Sequence, residues 1–397
     1  MRSALALAVA SLVAGLLNYL FQVHGAAVLD ATAFGLLSAW LAQVTLASAI
    51  TTVVQFVSLD APLARARFDR LLRWAGVASL VVLAAHVAYG RQASLLALGA
   101  STFVASALLY AVVGQLQARL RLGDVAAALL ATAAFRFALP FGWPADVRAR
   151  SFYVSHAAAA LAGVVVASVL VTLRPLATTE PAVAAVPPPE REGGLRLGRP
   201  VLLAFATVVF PFVDVLAISS THDAATTGAF SRIALAARIV FFGGAAVLQI
   251  LLAHHLHAAK SGDELPAFVV RVERWATPAL LAGAAGLAAV LDVAILHPSG
   301  GEQVWLFASC LEAAVLVAIL GEVQRLAAYG HLARAAACVA GVVVTSAIAA
   351  GLAALGGPGS VLRYAVCALA GDLLVLLFSR SKQANSRSRR AEVASRP

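Results

Sequence analysis

Charge is the scarcest commodity in this sequence. Only 12% of its 397 residues are Asp, Glu, Lys or Arg, where a soluble domain carries about 25%. Hydrophobic residues make up 61%, and the mean hydropathy is +0.90. This balance excludes a soluble globular protein and leaves an all-α integral membrane protein. Lysine and methionine are also rare, and arginine dominates the basic residues, a bias of GC-rich coding. The three cysteines, Cys310, Cys338 and Cys367, lie inside apolar runs and form no C-x-x-C pair. An odd, scattered set excludes a disulfide framework and a thiolate metal site, and leaves small core residues.

Catalytic signatures are missing too. There is no Walker A loop, H-E-x-x-H, G-x-S-x-G or D-x-D, so no enzyme chemistry, cofactor or metal is expected. His254, His255 and His257 cluster at the end of one apolar run, but no acid neighbours them in sequence. The net charge of +10 does not point to nucleic acid, because no basic stripe is interleaved with aromatics. The basic residues fill the gaps between apolar runs, where they report orientation in a bilayer.

Those runs fall near 4–28, 34–57, 72–89, 93–116, 124–142, 153–173, 200–219, 228–253, 275–296, 303–324, 332–354 and 359–379. The spacing predicts about twelve transmembrane helices, the third at the lower limit of a span. With the N-terminus inside, 22 of the 29 basic residues fall in inner gaps and four in outer gaps. This predicts a multi-pass protein with both termini in the cytoplasm. Residues 174–199 are proline-rich and mixed in charge, and read as a cytoplasmic linker. The expected organisation is a six-helix bundle over 1–173, the linker, a second six-helix bundle over 200–379, and a basic disordered tail over 380–397. Six is even, so both bundles enter from the same side, as parallel repeats.

One short pattern recurs in the two halves. Asp30-Ala31-x-x-x-Gly35-x-x-Ser38 aligns without a gap on Asp223-Ala224-x-x-x-Gly228-x-x-Ser231. Each copy opens the second apolar run of its half.

Polar residues inside the runs are the candidate functional groups, because each is costly in lipid. Asn18 and Gln22 share a face of the first segment. In the second, Gln43, Ala47, Thr51 and Gln55 form a stripe. Either set could line a cavity or bond helix to helix. Arg136 in the fifth segment reads as an anion site in a wet cavity or as a snorkelling side chain; Pro140 and Pro144 are expected to break the helix after it. Arg232 and Arg238 lie in the eighth segment, Arg238 deeper. Asp214, Asp292, Glu312 and Asp372 are the acids within segments, each a proton or sodium site, an arginine partner or a protonated packing group. Asp214 follows Pro211 by three residues, and that pairing of helix break and charge suits a hinge or ion site.

Two hairpins carry a resemblance. Asn18-Tyr19-Leu20-Phe21-Gln22 with Val28-Leu29-Asp30-Ala31 and Phe34-Gly35-Leu36-Leu37-Ser38 looks like the opening of polysaccharide (O-antigen type) flippases. These belong to the multidrug/oligosaccharidyl-lipid/polysaccharide (MOP) exporter superfamily. Ala26-Ala27-Val28-Leu29 stands where that family usually has an arginine. Asp214-Val215-Leu216-Ala217-Ile218 with Gly228-Ala229-Phe230-Ser231 resembles the family's second hairpin, with Phe230 in the tyrosine position. The resemblance implies a MOP/MATE-like fold, two six-helix bundles with alternating access to a central cavity. It also implies a bacterial cytoplasmic-membrane transporter that flips polyprenyl-diphosphate-linked oligosaccharide for surface polysaccharide synthesis. Arg136, Arg238 and Arg232, with Asn18, Gln22 and Gln43, would then meet the substrate. Asp214, Pro211, Asp292 and Glu312 would couple an ion, H+ or Na+, or act as a hinge. The alternatives are an ion-coupled multidrug antiporter of the same fold, a membrane-embedded glycosyltransferase or polymerase, and a structural subunit. Short outer loops argue against the enzyme.

Overall fold

The computed structural model describes residues 2–60, 65–89, 94–119, 121–143, 148–173, 198–261, 264–291, 300–355 and 360–394. The expected linker at 174–199 falls almost wholly outside them, as do Asp292 and Pro144. The described residues contain no strand, as lipid demands of a chain that must satisfy its backbone within each segment. The helices are α1 (Arg2–Val28), α2 (Ala31–Asp60), α3 (Arg65–Tyr89), α4 (Leu95–Ala118), α5 (Leu122–Ala138), α6 (Arg148–Leu173) and α7 (Gly198–Val209). They continue with α8 (Val213–Thr221), α9 (Ala224–Ser261), α10 (Ala267–Leu291), α11 (Gly300–Ala328), α12 (Leu332–Ala354) and α13 (Ser360–Ala394).

Nine stretches among the described residues are long and apolar enough to cross a membrane. The α7–α8 pair counts as one of these, spanning Val201–Thr221. Twelve were expected. The other three expected segments are helical but fall short: α1 offers Val13–Val28 and α10 Pro278–Leu287. In α3 the first turns carry Arg65, Arg67, Asp69, Arg70 and Arg73, which removes apolar length. The tail also differs from expectation, since α13 runs on to Ala394. From Arg380 to Arg396 the sequence has no glycine or proline, and its Arg, Lys, Gln and Ala residues favour helix.

Helix ends follow local chemistry. The Asp30 carboxylate accepts the Ala33 N–H at 2.8 Å and opens α2. Asp223 accepts the Thr226 N–H at 2.7 Å and opens α9. Ser94 does the same for α4 through the Ala97 N–H. Each satisfies one of the donors a helix start leaves open.

The chain divides into two compact units. One comprises Met1–Leu29 with Gln43–Ala204, and the other Asp30–Ala42 with Phe205–Pro397. Helix α2 therefore begins in the second unit and ends in the first. In the first unit α6 is the central helix, packed by α3, α4 and α5. Its Ala157–Ala160 run is buried, and small side chains let neighbouring backbones approach. In the second unit α11 is central, flanked by α9, α10, α12 and α13. Phe212, Ile218, Phe230 and Tyr364 pack beside it in one apolar cluster.

Candidate functional site

Proline builds the first element of the site. Pro211 has no N–H and cannot continue a helix, because its ring clashes with the preceding turn. Helix α7 stops at Val209, Phe210–Phe212 form a 3-10 turn, and Phe212 turns away at φ −129°, ψ −1°. Helix α8 restarts at Val213, which puts Asp214 in its first turn. One Asp214 oxygen accepts the Val215 N–H at 2.7 Å. A carboxylate there meets the positive end of a half-helix.

Beside this break is a small cavity of about 20 Å³, lined among others by Phe210, Pro211, Asp214, Arg238, Ser309 and Glu312. Arg238 comes from α9, is 4% exposed, and holds its guanidinium carbon 4.6 Å from the Phe212 ring centroid. That geometry is a cation–π contact. Asp214 and Arg238 attract each other across the cavity. Glu312 from α11 is 3% exposed, and its Oε1 has no hydrogen-bond partner among the described residues. Asp372 from α13, 0% exposed, lies within electrostatic reach of Glu312. Its Oδ1 accepts the Thr345 hydroxyl at 2.9 Å, and its Oδ2 has no partner among the described residues. Asp214 and Glu312 thus share the cavity with one guanidinium, and Asp372 is within reach of Glu312. Asp214, Pro211, Glu312 and Arg238 are brought together as candidates from three separate stretches of sequence. Thr345 was not singled out by the sequence.

The first unit holds a second polar group of opposite character. Arg136 on α5 donates from Nη1 to the Asn18 carbonyl oxygen on α1 at 2.9 Å. Its Nε has no hydrogen-bond partner, and no carboxylate pairs with it, among the described residues. Tyr110 from α4 and His156 from α6 are its electrostatic neighbours. Phe21 packs on Phe152 with ring centroids 5.2 Å apart, and His24 stacks on Phe141 at 4.1 Å. Pro140 sits in a 3-10 turn, Leu139–Gly142, that ends α5 just after Arg136. Sequence spacing marked Asn18 and Arg136 separately, but not Tyr110.

The remaining candidates separate. Gln22 is half-buried one turn beyond Asn18, Arg232 is half-buried, and Gln43 is exposed. The stripe on α2 is partly a helix-to-helix bond: the Gln55 amide donates to Gln117 on α4 at 2.9 Å. His255 does have an acid beside it: its Nε2 lies 2.6 Å from Glu273 on α10. That acid is 18 residues away and out of reach of local inspection. No three metal-ligating side chains converge among the described residues.

No protein-family model matches the chain, and no curated protein matches it either. Solved structures do. An inward-facing multidrug resistance MATE family transporter of the MOP superfamily matches with a TM-score of 0.57 at 12% identity, over 94% of this chain and 96% of that one. An outward-facing structure of such a transporter matches with a TM-score of 0.56 at 10% identity, over 98% and 96%. The chain therefore has the all-helical fold of these transporters.

Proposed function

We propose that this chain is a membrane transporter working by alternating access, and that it flips a polyprenyl-diphosphate-linked oligosaccharide outward across the bacterial cytoplasmic membrane. The fold supports the first part. The observation that carries the second is Arg136, a cation within a spanning helix held by neutral Asn18 rather than by a carboxylate. A half-buried guanidinium whose Nε is shut away without a counter-charge is costly. A diphosphate stripped of water has the complementary need. The planar fork of arginine binds phosphate oxygens in pairs and stays charged. Asn18 fixes one side of that fork, and the Nε side remains to be met.

The second unit supplies a different function. If Asp214, Glu312 and Asp372 are all ionised against Arg238, the cluster is two positive charges short of neutral. Burial makes that shortfall expensive, so the cluster takes up cations, here protons, and their exchange across the cycle drives transport. Pro211 lets the α7–α8 pair bend as this happens. The bundle over 1–173 carries the anion site and the bundle over 200–379 the coupling site, joined by the cytoplasmic linker, with both termini inside. The three buried carboxylates also favour a second reading, export of a cationic drug in exchange for protons.

Complementation of a flippase-deletion strain separates the two. Arg136→Ala at matched membrane levels is expected to leave lipid-linked intermediates on the cytoplasmic leaflet, and Arg136→Lys to restore export in part. Full export by Arg136→Ala removes the anion site. A wild-type chain that never restores export, yet confers drug resistance, moves the cation reading to first place.

A further inference from the structure

We propose that the crossing of α2 and α9 at Gly35 and Gly228 is a separable seal at the outer end of the protein, closed by bare backbone and held open by any side chain. The proposal rests on the alternating-access reading above. The two glycines meet reciprocally. A Cβ on Gly35 would collide with the Ala224 carbonyl oxygen and stand 2.8 Å from the Gly228 nitrogen. A Cβ on Gly228 would collide with the Ala31 carbonyl oxygen and stand 3.0 Å from the Gly35 nitrogen. Each carbonyl belongs to the residue four before the opposite glycine. The contact is therefore two Cα–H groups resting on two carbonyl oxygens, with no side chain between them.

The repeat in the sequence is the record of this contact. Asp30 and Asp223 cap the two helices through the N–H groups of Ala33 and Thr226. Ala31 and Ala224 supply the carbonyls, the glycines supply the bare surface, and Ser38 and Ser231 are buried one turn below. Element meets equivalent element, as in an isologous interface. Both helix starts belong to one compact unit, which contains Asp30–Ala42, while the rest of α2 belongs to the other.

Two buried hydroxyls beside the crossing would gain water in an open state. Thr227 Oγ1 and Ser231 Oγ are buried and have no hydrogen-bond partner among the described residues. A seal that opens to water satisfies them in its other state, which keeps the two states near balance.

The test uses Ser231→Cys and a membrane-impermeant maleimide on the full-length protein in proteoliposomes. It needs no substrate, so it is independent of what the protein carries. Gly35→Ala and Gly228→Ala are each expected to raise the labelling rate roughly tenfold or more, and the double variant no further. Gly15→Ala, which has nothing within 4 Å of its Cβ, should leave the rate unchanged. Rates within about twofold of the parent in both crossing variants overturn the proposal. Should either variant fail to fold, amide exchange on the unmodified protein decides. The Gly35 and Gly228 amides are expected to exchange together and well ahead of those in the core of α11, and exchange as slow as at Val315 overturns the seal.

Discussion

Arg238 offers the sharpest energetic test of the second unit. Its side chain is 4% exposed, lies over Phe212, and shares a cavity with Asp214 and Glu312. Replacing it with leucine keeps most of the volume and removes the charge. Breaking a buried pair from one side costs about 3–5 kcal/mol, because the partner stays buried and uncompensated. The cation–π contact contributes about 1–2 kcal/mol within that figure. Adding Asp214→Asn to Arg238→Leu removes one stranded carboxylate, and the double variant should recover about 1–3 kcal/mol. Reversible unfolding of purified protein in mixed micelles, followed by circular dichroism against denaturant, gives all four corners of the cycle. If Arg238→Leu lies within about 1 kcal/mol of the parent, Arg238 is not balancing buried acids. If Asp214→Asn subtracts further stability from Arg238→Leu, the two residues are not partners.

Pro211→Ala should join α7 to α8, stiffen the segment and slow transport without lowering membrane levels; normal transport would exclude a hinge there. Thr345→Val should cost about 1.5–3 kcal/mol by removing the hydroxyl bonded to Asp372, while Thr345→Ser should not, and equal unfolding midpoints for the two would contradict the bond. In the exposed turn before α9, hydrogen bonds from Thr226, backbone first, hold the Asp223 carboxyl below its ordinary range. The folded pKa is lowered, so the cap's contribution is fully present above the unfolded value of about 3.9 and is lost only as pH falls through the lower folded value. The Thr226 amide resonance should report that titration, and a midpoint at or above the ordinary value would remove the cap's charge from the account. A topology reporter fused at Pro187 should read cytoplasmic, and an external reading would undo the division into two even bundles.

What was legible in the sequence was what a single helix must solve alone. Apolar length marked the segments and Pro211 marked the break, because each requirement is met within one turn, while the caps at Asp30 and Asp223 start their helices a turn earlier than the runs at 34 and 228 suggested. The Asp-Ala-x-x-x-Gly-x-x-Ser repeat was visible for the same reason, though not the fact that its copies touch. Pairings between helices were not legible. Asn18 and Arg136 stand 118 positions apart, and Gln55 and Gln117 stand 62 apart. Lipid-facing composition does not say which helix adjoins which, since an apolar surface suits a neighbour and a lipid tail equally.

The two deep arginines show what this omission costs. Arg136 and Arg238 look alike in sequence, each a cation deep in an apolar run, and invite the same role. Their neighbours separate them. Arg238 faces Asp214 and Glu312 and lies on an aromatic ring, so its charge is spent within the protein. Arg136 faces the neutral amide of Asn18 and the phenol of Tyr110, so its charge is available to a ligand. A substrate anion entering the second unit would have to displace carboxylates that Coulomb repulsion already sets against it. One entering the first would meet an attractive site, and this asymmetry is the reason the proposed function puts anion binding at Arg136 and cation exchange at the cluster around Arg238.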